Sequence, residues 1–396
     1  MIRLRLPVFF YVIFIFTFLS LAIGDITIVY NMSGWGWFLP LVLSIFILIS
    51  GKRRVNFPYF LWLPWVFFVL IYLIISDHPA LQRSAQLLCP VIVGMAASTF
   101  QFDEEMLAVF LKYCRYLAFA LFGIVGIKSG LLLTGRLPDI SGLAPEVMTA
   151  TLFGTLFVTQ YSVGDRKGLY WWLLMSCIPI IALTRTAIVI AGISLPLNLG
   201  PLGIVKRILF VLIICIIGIS IFHTPRMQHK MFYTGSGEMS DVLSDDFRTT
   251  GRYAMWAQFD YEIRKEPWFG HGTGAGEEFT RQITYGIAGY PHNDWYLSLY
   301  DFGITGTLIF AMTIIIFCIN LYKRSLFSTD TAKCLFIAGA SAFIPFVLFM
   351  FTDNIMIYGP FFGILQFTMI GLAYGAYQKT VDNENCYLSI AETTAE

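Results

Sequence analysis

Apolar runs near or above the roughly 18 residues that a helix needs to cross a bilayer recur along most of the chain, separated by Gly, Pro or charge. Twelve membrane-spanning helices are predicted, centred near Phe14, Leu43, Phe67, Val93, Phe119, Leu156, Leu174, Ile190, Ile213, Phe310, Phe343 and Phe367. The seventh and eighth are short and meet at Thr184-Arg185-Thr186. The pattern changes between the ninth and tenth, where residues 223–295 hold 7 Lys or Arg and 10 Asp or Glu with aromatic residues interleaved. A structureless loop of this size is uncommon unless functional or disordered, and the content predicts folding. Tyr253, Trp256, Phe259 and Ile263 recur at helical spacing after Thr250-Gly251-Arg252. Pro267 stops that helix; a glycine-rich turn and a second helix around Glu277–Ile287 are expected to follow.

The fold class expected is an all-α polytopic membrane protein of about twelve spans with one large folded outer loop. Residues 1–222 would hold nine spans, 223–295 the loop with its amphipathic helices, and 296–379 the last three spans. Residues 380–396 are polar and expected to be a disordered cytoplasmic tail. The first run, after Arg3 and Arg5, resembles a signal peptide but lacks a clean small-x-small cleavage site, so an uncleaved first span is expected.

Basic residues orient this scheme. With the N-terminus inside, 15 of the 26 Lys and Arg fall on inner connections. Four (Arg83, Lys128, Arg136, Arg185) fall on short outer ones, and 7 lie in the long loop, which the positive-inside rule leaves out. Both termini are therefore predicted on the cytoplasmic side and the loop on the periplasmic side.

Composition agrees: 57% hydrophobic, 17% aromatic and 13% charged, against about 25% charged in a soluble domain. No basic stripe suggests nucleic acid. Six of the seven cysteines lie in apolar segments and none has CxxC spacing, which argues against a disulfide framework or a zinc site.

The polar residues that stand out share the outer face. All five histidines fall there, and imidazole is suited to proton transfer near neutral pH. His292-Asn293, nine residues, then Gly303-Ile-Thr-Gly306 mark the entry into the tenth span. The glycines would let helices approach closely, and Pro291-His292-Asn293-Asp294 reads equally as a helix cap. Arg83 and Arg185 sit within apolar sequence, where a guanidinium is expensive unless it faces a cavity or partner; both could instead snorkel to lipid headgroups. Arg252 opens the loop helix, and guanidinium suits bidentate phosphate binding. Gly270–Gly276 lacks the Lys and Ser/Thr of a phosphate loop, so a flexible turn is expected. Glu238, Asp241, Asp245 and Asp246 fit no calcium loop and read as a solvated acidic surface.

The His292-Asn293-x9-Gly303-x2-Gly306 pattern resembles the signature of the O-antigen ligase and polymerase superfamily of bacterial envelope glycan assembly. Thr184-Arg185-Thr186-Ala187 is similar to that family's arginine between two short spans, and Arg252-Tyr-Ala-Met-Trp256 to its loop arginine motif. Trp256 departs from the leucine often found there. The resemblance implies metal-independent, inverting transfer of a glycan from undecaprenyl diphosphate to an acceptor hydroxyl, with no cofactor. It implies His292 as base, Arg83, Arg185 and Arg252 on the diphosphate, and Asn293, Gly303 and Gly306 as structural residues. The site would face the periplasm from the inner membrane. The expected acceptor is lipid A–core oligosaccharide for a ligase, or a second lipid-linked glycan for a polymerase. A lipid-linked sugar transporter is the alternative from another class; it predicts ionisable residues deep in several spans, whereas the charges here gather at one interface.

Overall fold

The computed structural model describes residues 6–24, 27–28, 30–51, 53–75, 79–134, 143–244, 246–248 and 251–377. His78, Arg136 and the tail from 380 onward lie outside these described residues. The N-terminal half runs through α1 (Val8–Ile23), α2 (Met32–Ile49), α3 (Leu63–Ile75), α4 (Pro79–Ala97), α5 (Glu104–Leu133) and α6 (Ala144–Ser162). It continues through α7 (Lys167–Ile181), α8 (Arg185–Ile193) and α9 (Ile204–Phe222). Then come α10 (Pro225–Met231), α11 (Arg252–Lys265), α12 (Ala275–Ile283), α13 (Asp294–Ser325), α14 (Asp330–Ser341), α15 (Phe343–Phe349) and a last helix, α16, over 363–377. A two-residue antiparallel pair, Thr27–Ile28 with Tyr30–Asn31, accompanies them.

Among the described residues, six helical stretches are long and apolar enough to cross a membrane: α2, α4, α5, α9, α13 and the consecutive α14–α15; α1, α3 and α7 are shorter apolar helices. All twelve expected centres fall within helices. The eighth, expected to be short, is a half-length helix. At nine residues α8 extends about 14 Å at 1.5 Å per residue, half of a hydrocarbon core of roughly 30 Å. Leu183, at φ 51°, reverses the chain ahead of it, and the turns at 194–197, which include Pro196, end it.

Buried on nearly every side, α6 is the axis of the bundle, packed by α5, α7, α8 and α14. Its polar side chains cost little because Thr151, Thr155 and Thr159 each donate to the carbonyl four residues back. Lipid is as apolar as these side chains, so cohesion comes from close packing. Aromatic rings supply much of it, as where Phe57, Trp62, Phe317 and Phe367 interlock. Of α9 only Phe222, at its last residue, is fully buried; apart from positions such as Phe210, which packs on Tyr161, most of the helix faces outward.

The segment between α9 and α13 is folded, as its composition predicts. Both α11 and α12 pack against α13, around Met255, Phe259 and Tyr300. Met255 and Phe259, four apart, set the buried face, while Tyr253 at the first turn stays exposed. The second helix begins and ends earlier than expected, because Tyr285 and Gly286 both adopt positive φ. The acidic residues serve locally. Glu238 and Asp241 form a reciprocal capping box, and Asp246 accepts from Thr234 N and Oγ1.

The long helix α13 is broken at Gly303, whose φ 63°, ψ −172° is a conformation nearly restricted to glycine. The break frees two amides. Ile304 N donates to Pro267 O at 2.7 Å and Thr305 N to Trp268 O at 3.1 Å. The turn after α11 is thereby fastened to α13 backbone to backbone, and Tyr72 near the end of α3 donates to Phe269 O. A Cβ on Gly303 would strike the backbone at Trp268–Phe269, and one on Gly306 would strike the Phe68 ring of α3. Gly306 is thus the site of close helix approach, whereas Gly303 allows a bend and a docking contact.

Candidate active site

At the end of the bundle where α3 closes and α4, α6, α8 and α13 open, the polar side chains gather. Asn293 caps α13, its Oδ1 accepting from Trp295 N at 3.0 Å and Tyr296 N at 3.1 Å. The cap reading of this turn is therefore correct, and the cap also serves the histidine. Asp294 N donates to Met350 O at 2.8 Å, tying the turn to the segment after α15. His292 is held at φ 51°, a left-handed conformation that a non-glycine residue rarely adopts. Its Nδ1 lies 3.5 Å from Asp353 Oδ1 and 3.2 Å from the Asn354 side-chain amide. Asn354 Oδ1 is buried without a partner; turning the amide about its terminal bond presents that oxygen to Nδ1. The His292 side chain keeps 42% of its exposure against 17% for Asp353, so one end of the imidazole faces solvent.

Two arginines stand beside this pair. Arg252, first residue of α11, donates from Nη1 to Thr352 O at 2.7 Å, one residue before Asp353. Burial lowers the Arg252 pKa and the Asp353 charge opposes that shift. Arg185, first residue of α8, donates from Nη2 to Arg248 O at 3.1 Å and lies over the Phe247 ring at 5.0 Å. Its Nη1 is buried without a partner, and its charge and that of Arg252 repel each other. Arg185, Arg248 and Arg252 line one cleft of about 460 Å³ together with Thr186, Val189, Met231, Phe247, Tyr253, Trp256, Phe351 and Thr352. An open cleft with three guanidiniums and no carboxylate among its lining residues is suited to an anion.

Arg83 occupies different surroundings. It is 5% exposed in α4, and its charge acts on Asp294 and Asp301 of α13 and on the Tyr290 phenol. It does not line the cleft. Asp301 in turn accepts from Gly274 N at 2.9 Å and Gly276 N at 2.7 Å. The glycine-rich turn expected to be flexible is therefore pinned to α13, and two amides that could cradle a phosphate are already occupied. His271 within it stacks on Tyr300. Among the described residues no group of three His, Cys, Asp or Glu is placed to hold a metal ion.

The profile of the O-antigen ligase family matches residues 171–311. The match supports membership of the O-antigen ligase and polymerase superfamily. It runs from α7 to the middle of α13 and includes Arg185, Arg252, His292, Asn293, Gly303 and Gly306. The match supports activity of the O-antigen ligase or polymerase type, by a glycosyltransferase-like enzyme in a multi-pass membrane protein. No curated protein matches the chain.

Four residues that this site uses were not singled out from the sequence: Arg248, Thr352, Asp353 and Asn354. The last three interrupt the apolar stretch between the eleventh and twelfth expected centres, as Phe351-Thr352-Asp353-Asn354. A polar triplet in that position carries the same signal that drew attention to Arg185. Arg248 carries none, since it lies in an ordinary polar loop.

Proposed function

We propose that this protein transfers a glycan from undecaprenyl diphosphate to an acceptor hydroxyl at the periplasmic face of the bacterial inner membrane, as the ligase that joins O-antigen to lipid A–core. The observation that carries this reading is the adjacency of an anion-binding arginine cleft to a histidine–aspartate pair, both within or against the matched segment. With Asp353 as acceptor, Nδ1 of His292 holds its proton and Nε2 is left as the base. The acceptor oxygen attacks the anomeric carbon as its proton passes to Nε2, and the bond from that carbon to the diphosphate oxygen breaks. Attack opposite the leaving group inverts the anomeric centre. Charge then grows on the diphosphate, where Arg185, Arg252 and Arg248 stabilise it in place of a metal. Arg83 acts from beneath, through the carboxylates of α13, and holds the His292 turn in position.

The polymerase of the same superfamily shares the donor half of this chemistry and differs in its acceptor. Loss of the gene distinguishes them: bare core with accumulated lipid-linked polymer marks a ligase, and core bearing a single repeat marks a polymerase. In vitro, His292→Ala and Arg185→Ala should each abolish transfer from a defined lipid-linked donor while inserting into the membrane normally. Wild-type glycan profiles from either variant would remove that residue from the site.

A further inference from the structure

We propose that Trp256 and Tyr253 form a stacking platform for the sugar ring that carries the diphosphate, a subsite that rests on the glycosyl-transfer reading above. Trp256 is the position at which this chain departs from the leucine common in the related motif, and its surroundings are specific. The indole Nε1 donates to Pro291 O at 2.8 Å, immediately before His292. One ring face packs on Tyr296, with centroids 5.9 Å apart and planes 24° from parallel. The residue nevertheless lines the arginine cleft. With its N–H committed and one face covered, the indole meets the cleft through carbon alone.

Tyr253, three residues earlier on α11, lines the same cleft and is 63% exposed. Its ring centroid is 5.6 Å from that of Trp256 at an interplanar angle of 63°, so the two rings make a corner. Arg252 precedes them on the same turn, with Thr352 O as its anchor. One helix therefore presents a guanidinium and, beginning at the next residue, a carbon-rich corner. A phosphate and the sugar bonded to it need adjacent partners of these two kinds, and both line the one cleft. A pyranose offers just such a mixed surface, with one face of C–H bonds that suits the electron-rich face of an aromatic ring.

The experiment uses the full-length protein in lipid vesicles. It measures KM for a lipid-linked glycan donor, and separately inhibition by sugar-free polyprenyl diphosphate. Trp256→Leu should raise the donor KM about tenfold, the equivalent of roughly 1.4 kcal/mol, and leave the inhibition constant of the sugar-free lipid unchanged. Tyr253→Ala should shift the donor KM in the same direction. Trp256→Phe keeps a ring but loses the bond to Pro291, so it should retain most of the KM and lower kcat. A parallel rise in both constants for Trp256→Leu would place lipid or diphosphate, and not sugar, on the rings. An unchanged KM would remove the subsite while wild-type transfer still upheld the reaction. Absence of transfer by the wild-type protein from any lipid-linked donor would instead overturn the reaction itself.

Discussion

Replacing Asp353 with Asn tests whether His292 acts as a base supported by a carboxylate. The substitution is nearly isosteric, and the asparagine Oδ1 can still accept from Asn354 N, a bond of 2.9 Å in the wild type. The local fold should therefore survive. What is lost is a negative charge 3.5 Å from Nδ1 of the imidazole, which matters once Nε2 has taken the acceptor proton and the ring is cationic. Coulomb's law at that distance gives about 5 kcal/mol at an effective dielectric of 20 and about 1 kcal/mol in water. His292 is 42% exposed and Asp353 17% exposed, so screening places the pair between these limits, at roughly 1–3 kcal/mol. The corresponding loss in kcat is about 5- to 150-fold. Arg252 loses an attractive charge as well, yet retains its bond to Thr352 O, so the donor KM should move little. Single-turnover transfer from a purified lipid-linked donor separates the two constants. An unchanged kcat in a folded Asp353→Asn protein would show that the carboxylate does not support the histidine.

Three further outcomes follow from the same geometry. Arg185→Lys should raise the donor KM by about tenfold, because a compact ammonium cannot reproduce the planar, two-nitrogen fork with which the guanidinium bonds Arg248 O and lines the cleft; wild-type kinetics would mean that only charge matters there. Gly303→Ala should lower thermal stability by roughly 1–3 kcal/mol through backbone strain alone, with a further loss as the Pro267–Trp268 contact is displaced. A melting temperature equal to wild type in a fluorescence melt would contradict the broken-helix geometry. Chelators of divalent metal ions should leave transfer unchanged, and a loss of activity restored by added metal would refute charge stabilisation by arginine alone.

The helices were legible because their determinants are local: an apolar run in a bilayer must satisfy its own backbone and so becomes a helix. The half-length α8 was less legible, since its ending depends on the turn around Pro196 more than on hydropathy. Arg185 and His292 stood out as polar groups in apolar or boundary contexts, where a rare residue type has few innocent explanations. Arg83 gave the same signal, yet its surroundings in the fold are the carboxylates of α13. Sequence context shows that a buried charge needs a partner but not which one. Asp353 could pair with His292 only once α15 returned to the same end of the bundle. Such a contact between residues 61 apart leaves no trace in periodicity. Gly303 and Gly306 were read together as packing glycines, but one serves a helix contact and the other a conformation, and spacing cannot separate those uses.

The cleft is electrostatically incomplete in the free protein, and this explains why its arginines sit where they do. Arg185 and Arg252 are partly buried and repel each other, and one Nη of Arg185 has no partner. A structural ion pair would have brought a carboxylate between them, but no Asp or Glu lines the cleft, and Asp353, whose charge reaches Arg252, pairs with His292. An anion entering the cleft relieves the repulsion between the two guanidiniums, so its binding draws on an unfavourable interaction already present in the fold. The benefit grows with the charge of the ligand, and in the proposed reaction the diphosphate gains charge as the glycosidic bond breaks. Such a cleft therefore holds the departing group more tightly than the intact donor, which is the differential binding that accelerates a chemical step.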